Sequence, residues 1–395
     1  MKNFVFISPT FPDTYWQFPR AWKQLGGNSL CIAEDPYESL SWEMKDACTE
    51  YYRVNSLQNY DEVYRAVAWF AHKYGKIDWL ESHNEFWLEQ DARLRTDFNI
   101  TSGDDEVSVM RFKRKSTMKD YYRKAGVKTA RFHMVSDYES GKKFIEEVGY
   151  PVIVKPDDGV GANATWKLKN DEDLKEFYDM HVQVPYIMEE FITGDVWSFD
   201  GLIDQNGNII YKTVHVYKSQ VIDVLNAGVE NYFYSLRDLP EDIDTLGTEV
   251  LKQYGIKARF FHTEYFRMTA DKEGLGKAGD LIGLEVNMRT PGGYIPDMMN
   301  YECDVDLYRM YAQMCWDNTV PSSIDHSWHC VYTGKRDVCH YVHSQEEIFR
   351  LYGQAICMSG RMPGILQGMG DDYFIARFRT LEETEKFAQF VFEKY

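Results

Sequence analysis

Leu284-Glu285-Val286-Asn287-Met288-Arg289 is the stretch on which the reading of this chain turns. A strand alternates its side chains, so Glu285, Asn287 and Arg289 share one face. Two hard oxygen donors and a guanidinium on one surface suit a magnesium ion and the phosphates it bridges. Upstream, His262-Thr263-Glu264-Tyr265-Phe266 offers Glu264 as a second carboxylate from a neighbouring antiparallel strand, and Pro291-Gly292-Gly293 ends the quoted one. The pattern points to an ATP-consuming site.

Bulk properties leave room for such a site and exclude others. At 395 residues the chain is too long for one compact core and implies two to four domains. With 44% hydrophobic and 15% aromatic residues it has the material to fold. A net charge of −18 argues against nucleic-acid and anionic-membrane partners, which need a basic surface, but not against a nucleotide held by a local basic site. The apolar run at Phe4–Ile7 is too short for a signal peptide and no segment is long enough to span a bilayer. Seven scattered cysteines read as reduced thiols, so the expected compartment is the cytoplasm. His326, His329, Cys330, Cys339, His340 and His343 cluster in sequence. They lack paired Cys-x-x-Cys spacing, so a plain surface hairpin turning at Thr333-Gly334-Lys335-Arg336 is expected in preference to zinc.

Up to residue 108, apolar runs at 4–7, 29–32 and 77–80 alternate with helical patterns at 16–25 and 61–74, which implies a parallel, Rossmann-like sheet. Its first turn, Ser8–Pro12, lacks the glycine fingerprint of dinucleotide binding. A basic helical segment follows at 109–126, most of it a solvated face, with one or two charges reaching phosphates. Ser136–Glu139 reads as a capping box. Val152–Pro156 is a β-rich run ending in Lys155 and Pro156, followed by a small-residue loop, 157–165. Gly159, Gly161 and Ala164 nominally fit the dinucleotide pattern, but Thr165–Leu168 favours a strand where that pattern needs a helix. Strands are expected at 186–190, 197–204, 208–217, 259–268 and 281–289, with Asn206-Gly207 as a turn. Helices are expected at 241–254 and about 303–316. His262 falls on the Glu264 face; His215 and Lys218 lie on or just beyond another strand. Glu85, after the strand at 77–80, sits where open α/β sheets place ligands, with Arg93 or Arg95 near it. Tyr294 and Asp297 follow the glycine pair.

In order, these elements resemble the ATP-grasp superfamily of the carboxylate–amine ligase type, over roughly residues 109–320. The motifs carrying the resemblance are Lys115 with Met118-Lys119 before Ala125-Gly126-Val127, Val154-Lys155-Pro156 with its glycine loop, Met188-Glu189-Glu190-Phe191-Ile192, Glu264, and Glu285-x-Asn287-x-Arg289 before Gly292-Gly293. The resemblance implies an α/β and α+β multidomain fold. A Rossmann-like domain occupies 1–108, a small ATP-grasp subdomain with a glycine-loop flap 109–188, a large subdomain with the metal site 189–327, and a small α/β segment 328–395. It further implies that Lys115 and Lys155, with Gly159 and Gly161, meet ATP phosphates. Glu189, Glu190, Phe191 and Ile192 form the adenine hinge, and Asp195 takes the ribose. Glu264, Glu285 and Asn287 ligate magnesium, or manganese in its place. Arg289 and Lys155 serve catalysis, and Glu85, Gly292 and Gly293 border the substrate.

The implied reaction phosphorylates a small-molecule carboxylate and then joins it to an amine, releasing ADP and phosphate. Alternatives on the same fold are a phosphotransferase, a carboxylase (disfavoured by the absence of an Ala-Met-Lys-Met motif) and a non-catalytic ATP-binding protein. Partners are then small carboxylates and amines, without nucleic acid or membrane, and a homodimer is the default assembly.

Overall fold

The computed structural model describes residues 1–158, 164–218 and 230–395, the side chains of residues 365 and 367 excepted. Strands β1 (Asn3–Ile7), β2 (Asn28–Ala33), β3 (Glu50–Arg53) and β4 (Trp79–Glu81) form a parallel sheet in the order β3-β2-β1-β4. All of β1 and β2 is buried, because helices cover both faces of such a sheet. Phe4 and Phe6 point to one side, into a core with Phe18 and Trp22 of helix Gln17–Gln24 and with Tyr308 and Tyr311 of a much later helix, Leu307–Asp317. Val5 and Ile7 point to the other, against Val63, Val67 and Phe70 of helix Tyr60–Tyr74. The Rossmann-like sheet expected from the sequence is present, and one of its covering layers is completed from beyond residue 300.

Strand β5 (Lys128–Thr129) leads into a second sheet. Here β6 (Phe132–Met134), β7 (Val152–Pro156), β8 (Trp166–Leu168) and β9 (Tyr186–Glu190) run antiparallel in the order β6-β9-β7-β8. Phe144 and Ile145 of helix Tyr138–Val148 and Leu174 and Phe177 of helix Asp171–Asp179 pack on Val152, Val154 and Met188. Because β7 and β8 are antiparallel neighbours, the loop after Asp157 joins two strands, which the dinucleotide pattern does not allow. Gly159 and Gly161 themselves lie outside the described residues. The capping box sits one residue later than expected, with Asp137 as the cap accepting from Ser140 N at 2.8 Å.

The third sheet holds the remaining strands among the described residues. These are β10 (Gly194–Ile203), β11 (Ile209–Tyr217), β12 (Asn231–Ser235), β13 (Arg259–Met268), β14 (Leu281–Asn287), β15 (His329–Lys335), β16 (Ile356–Arg361) and β17 (Asp372–Phe378), in the order β16-β17-β15-β12-β11-β10-β13-β14-β5. Three strands from beyond residue 328 thus extend the sheet that carries Glu264 and Glu285. Helix Glu241–Tyr254 falls on the expected residues, ended by Gly255 in the left-handed region (φ +63°).

One expectation fails here. Thr333-Gly334-Lys335 is not a turn but the end of β15, paired with Phe374, Tyr373 and Asp372 of β17. Gly334 is required because a Cβ there would lie 1.9 Å from the Met369 carbonyl oxygen. The histidine–cysteine cluster does not assemble: Cys330 is buried, His329 Nδ1 accepts from Arg237 N at 3.2 Å, and His343 stacks on Phe390. A helix at Ile295–Cys303, with Pro296 in its first turn, also precedes the one expected at about 303–316, which spans Leu307–Asp317.

Candidate active site

Strands β13 and β14 pair so that Glu264 lies opposite Glu285 and His262 opposite Asn287. The register then shifts: Tyr265 faces Gly283, leaving Leu284 as an extra, bulged residue. Two carboxylates directly opposite on one sheet face repel. The repulsion is met by cations from three directions. Lys115 Nζ lies 3.3 Å from Glu285, His262 Nε2 lies 3.2 Å from Glu264, and Arg289 pairs with Glu85 at 2.5 Å. Burial pushes the Glu285 carboxyl up, with Glu85 and Glu264 adding to it and Lys115 opposing. Burial acts the same way on Glu264, but there the charges of His262 and Arg289 outweigh it and lower its pKa.

Behind this pair runs a buried relay. Asp200 accepts from His262 Nδ1 at 2.6 Å and from His215 Nδ1 at 2.7 Å. Burial lowers the His262 pKa, but Asp200 and Glu264 overcome it and raise it to about 10, so His262 is protonated at neutral pH. A site that sets a cationic ring between two acids, opposite an asparagine and beside a third carboxylate, is rich in groups that hold positive charge. Glu264, Glu285 and Asn287 are hard oxygen donors of the kind magnesium takes.

The opposite wall comes from β7, β9 and helix Lys115–Lys124. Lys115 and Lys119, four residues apart, share one helix face. Lys119 Nζ lies 2.7 Å from one oxygen of Glu189 and Lys155 Nζ 2.8 Å from the other. Burial alone would raise the Glu189 pKa; the two lysines hold it down to about 2. Glu190 points elsewhere. It accepts from the Arg131 backbone at 2.7 Å and from its guanidinium, which commits its carboxylate to the protein. Asp157, at the root of the glycine loop, accepts from Ser116 N and Ser116 Oγ, both at 2.8 Å, and so ties that root to the start of the lysine helix.

Between these walls lies a cleft of about 280 Å³. It is lined by Lys115, Lys155, Glu189, Glu190, Phe191 and Ile192, and by Glu264, Glu285, Asn287, Arg289 and Glu85 from the other side. His262 and Lys119 line it as well, with an apolar end at Ala130, Ile153, Val196 and Phe266. Asp195 does not line it. Strand β10 begins at Gly194, so alternation turns Val196 into the cleft and Asp195 to an ion pair with Lys218 at 2.9 Å. Gly292, Gly293 and His215 are absent from the lining, and Asp297 is buried against Thr14 and Tyr308. Arg95 pairs with Glu81, and Arg93 lies over the Tyr60 ring. Sequence reasoning overlooked Lys119 as a lining residue, although its spacing from Lys115 carried the signal. Glu85 meeting Arg289 across 204 positions has no local signature.

Comparison with known proteins agrees with this geometry. Residues 115–232 match the ATP-grasp domain profile. The chain is 24% identical over 252 residues to an L-arginine-specific L-amino acid ligase of Bacillus subtilis, covering 60% of this chain and 57% of that one. It is 26% identical over 113 residues to the C-terminal section of the carbamoyl phosphate synthase large chain of Methanopyrus kandleri, covering 27% of this chain and 21% of the relative. These curated relatives are thus matched over little more than half their length at most. The crystal structure of an L-amino acid ligase from Bacillus licheniformis superposes with a TM-score of 0.73 over 98% of this chain and 96% of that one, at 16% identity, a likeness of fold. Residues 115–232 thus carry the match to the ATP-grasp domain, and the chain as a whole shares the fold of the superposed structure. Among the described residues no helix is long and apolar enough to cross a membrane.

Proposed function

We propose that this protein is an ATP- and magnesium-dependent ligase that phosphorylates a small-molecule carboxylate and joins it to an amine, releasing ADP and phosphate. The observation that carries the reading is the cross-strand pair Glu264–Glu285, with Asn287 and Arg289 beside it, Lys115 paired to Glu285 and Lys155 lining the same cleft. The apolar end suits a flat heteroaromatic ring, and the backbone of Glu189–Ile192 lies there to meet its edge. Asp195, held by Lys218, does not serve the ribose in this arrangement.

In this scheme Glu264, Glu285 and Asn287 hold the metal, which when bound supplies Lewis-acid neutralisation of the phosphate oxygens. Lys115 and Lys155 offset the repulsion between the substrate carboxylate and the γ-phosphate, and Arg289 holds the acyl phosphate until the amine attacks. Glu189 holds Lys119 and Lys155 in place before the nucleotide arrives. Asp157, bonded to Ser116, fixes the end of β7 against the start of the lysine helix. The seven cysteines, none in a disulfide, fit a cytoplasmic setting.

The test is ADP and phosphate release with magnesium and ATP across pooled amino acids and small carboxylates, followed by mass analysis of products. Substrate-dependent ADP with a product one water lighter than the summed substrates is expected. A phosphorylated product instead would replace the ligase reading with a kinase.

A further inference from the structure

Helix Ile295–Cys303 ends on two adjacent metal-ligating residues, Glu302 and Cys303, and the loop that returns the chain to β15 brings His326 against them. A carboxylate oxygen of Glu302, Sγ of Cys303 and an imidazole nitrogen of His326 all lie within 4.8 Å of one another, the only such trio among the described residues. Backbone bonds set the approach. The Glu302 carbonyl accepts from Ser327 N at 3.2 Å and Trp328 N at 3.1 Å, which pins the residues immediately after His326 to the end of the helix.

The local chemistry is unusual for a plain packing contact. Glu302 is 1% exposed; Tyr211 OH donates to its Oε1, while its Oε2 has no hydrogen-bond partner among the described residues. A buried carboxylate oxygen without a partner costs free energy that a cation would recover. Cys303 Sγ sits 3.4 Å from His326 Nδ1. Metal–sulfur and metal–nitrogen bonds of about 2.3 and 2.0–2.1 Å at a tetrahedral angle put those two atoms roughly 3.6 Å apart, so little movement is needed to share one ion. His326 is held by stacking on Tyr211 (ring centroids 6.0 Å, 25° between planes) and is only half-buried, which leaves solvent access on its side.

We propose that Glu302, Cys303 and His326 form a binding site for a divalent transition metal of the zinc class, separate from the ATP cleft. A thiolate, an imidazole and a carboxylate make a mixed donor set that zinc accepts and magnesium does not prefer. On binding, the Cys303 thiol loses its proton to solvent and the thiolate sulfur donates to the metal. None of the three residues lines the cleft. The ion would fasten helix Ile295–Cys303, which follows the glycine pair, to the loop entering β15, and so act as a staple between two parts of the chain.

The experiment is a Co2+ titration of the full chain, stripped of metal with a chelator, read by optical absorption. Expected are one equivalent of cobalt showing a thiolate-to-cobalt charge-transfer band with tetrahedral ligand-field bands, and displacement of both by one equivalent of zinc. Cys303→Ser should abolish the charge-transfer band, and His326→Asn should weaken binding by at least about 10-fold, the lower figure for loss of a mere supporting group. Cys339→Ser, which alters a thiol elsewhere, should leave the spectrum unchanged, and circular dichroism confirms that each variant is folded. Any cobalt bound by the carboxylates of the ATP cleft lacks the thiolate band, so it does not confuse the reading. No thiolate band in the wild type, or a band that survives in folded Cys303→Ser, overturns the proposal.

Discussion

Glu81→Gln tests how the parallel sheet is locked to the strand that carries Glu264. Glu81, at the end of β4, holds Arg95 at 2.9 Å and Arg259 at 3.0 Å, and the three side chains are 6%, 0% and 3% exposed. Arg259 opens β13 and donates through Nε to the Met288 carbonyl at 2.9 Å, one residue before Arg289. Burial raises the Glu81 pKa, but Arg259 and Arg95 outweigh that and hold it at about 2 against an ordinary 4.5. That displacement corresponds to about 3 kcal/mol in favour of the ionised, folded form. Removing the charge strands two guanidiniums in the interior, for which breaking a buried pair costs about 3–5 kcal/mol. Asp104, 3.6 Å from Arg259, offsets part of the loss, so the lower end is expected. Urea unfolding of wild type and variant at neutral pH measures it. Glu50→Gln, which loosens the half-exposed pair with Lys73, is the control and should lose no more than about 1 kcal/mol. A Glu81→Gln loss as small as the control's would refute the reasoning.

Three further outcomes follow from the same geometry. Glu285→Ala should abolish magnesium-dependent ATP turnover while leaving the circular dichroism spectrum unchanged, since it removes one of two facing acids and no core packing; wild-type turnover would remove Glu285 from the metal site. Glu189 should stabilise the fold fully above its unfolded pKa of about 4.5 and lose that contribution as pH falls towards 2, its folded value. Urea titrations between pH 5 and 3 should therefore show a shallower pH slope for Glu189→Gln than for wild type, and parallel slopes would contradict the lysine clamp. Gly283→Ala should cost about 1–3 kcal/mol, because the new Cβ would lie 2.5 Å from the Tyr122 ring; a thermal midpoint equal to wild type would show that the lysine helix can shift away from β14.

Local pattern carried much of this molecule. Alternation alone put Glu285, Asn287 and Arg289 on one face, and the antiparallel partner supplied Glu264. Pro240 and Gly255 bracket the helix between them, so its ends were legible too. What escaped depended on distant atoms. Asp195 was assigned to the ribose by its place after the hinge, yet the start of β10 at Gly194 decides which way it points. Thr333–Arg336 has turn composition, but Gly334 is there to admit the Met369 carbonyl from another loop. Pro291-Gly292-Gly293 and Pro296 read as breakers, which hid the helix starting at Ile295. The Lys119–Glu189–Lys155 clamp joins residues from a helix and two strands, and no spacing rule announces it.

Helix Leu307–Asp317 closes one face of the first sheet. Phe4, Phe6, Phe18 and Trp22 pack on one another within the first hundred residues, but their apolar layer is sealed by side chains some two hundred residues later. Deleting the chain from residue 307 onward would strip this cover and leave a sticky surface rather than a free-standing unit. The order of the sequence and the order in which its parts become finished are therefore different, and the first sheet waits for a helix some two hundred residues further on.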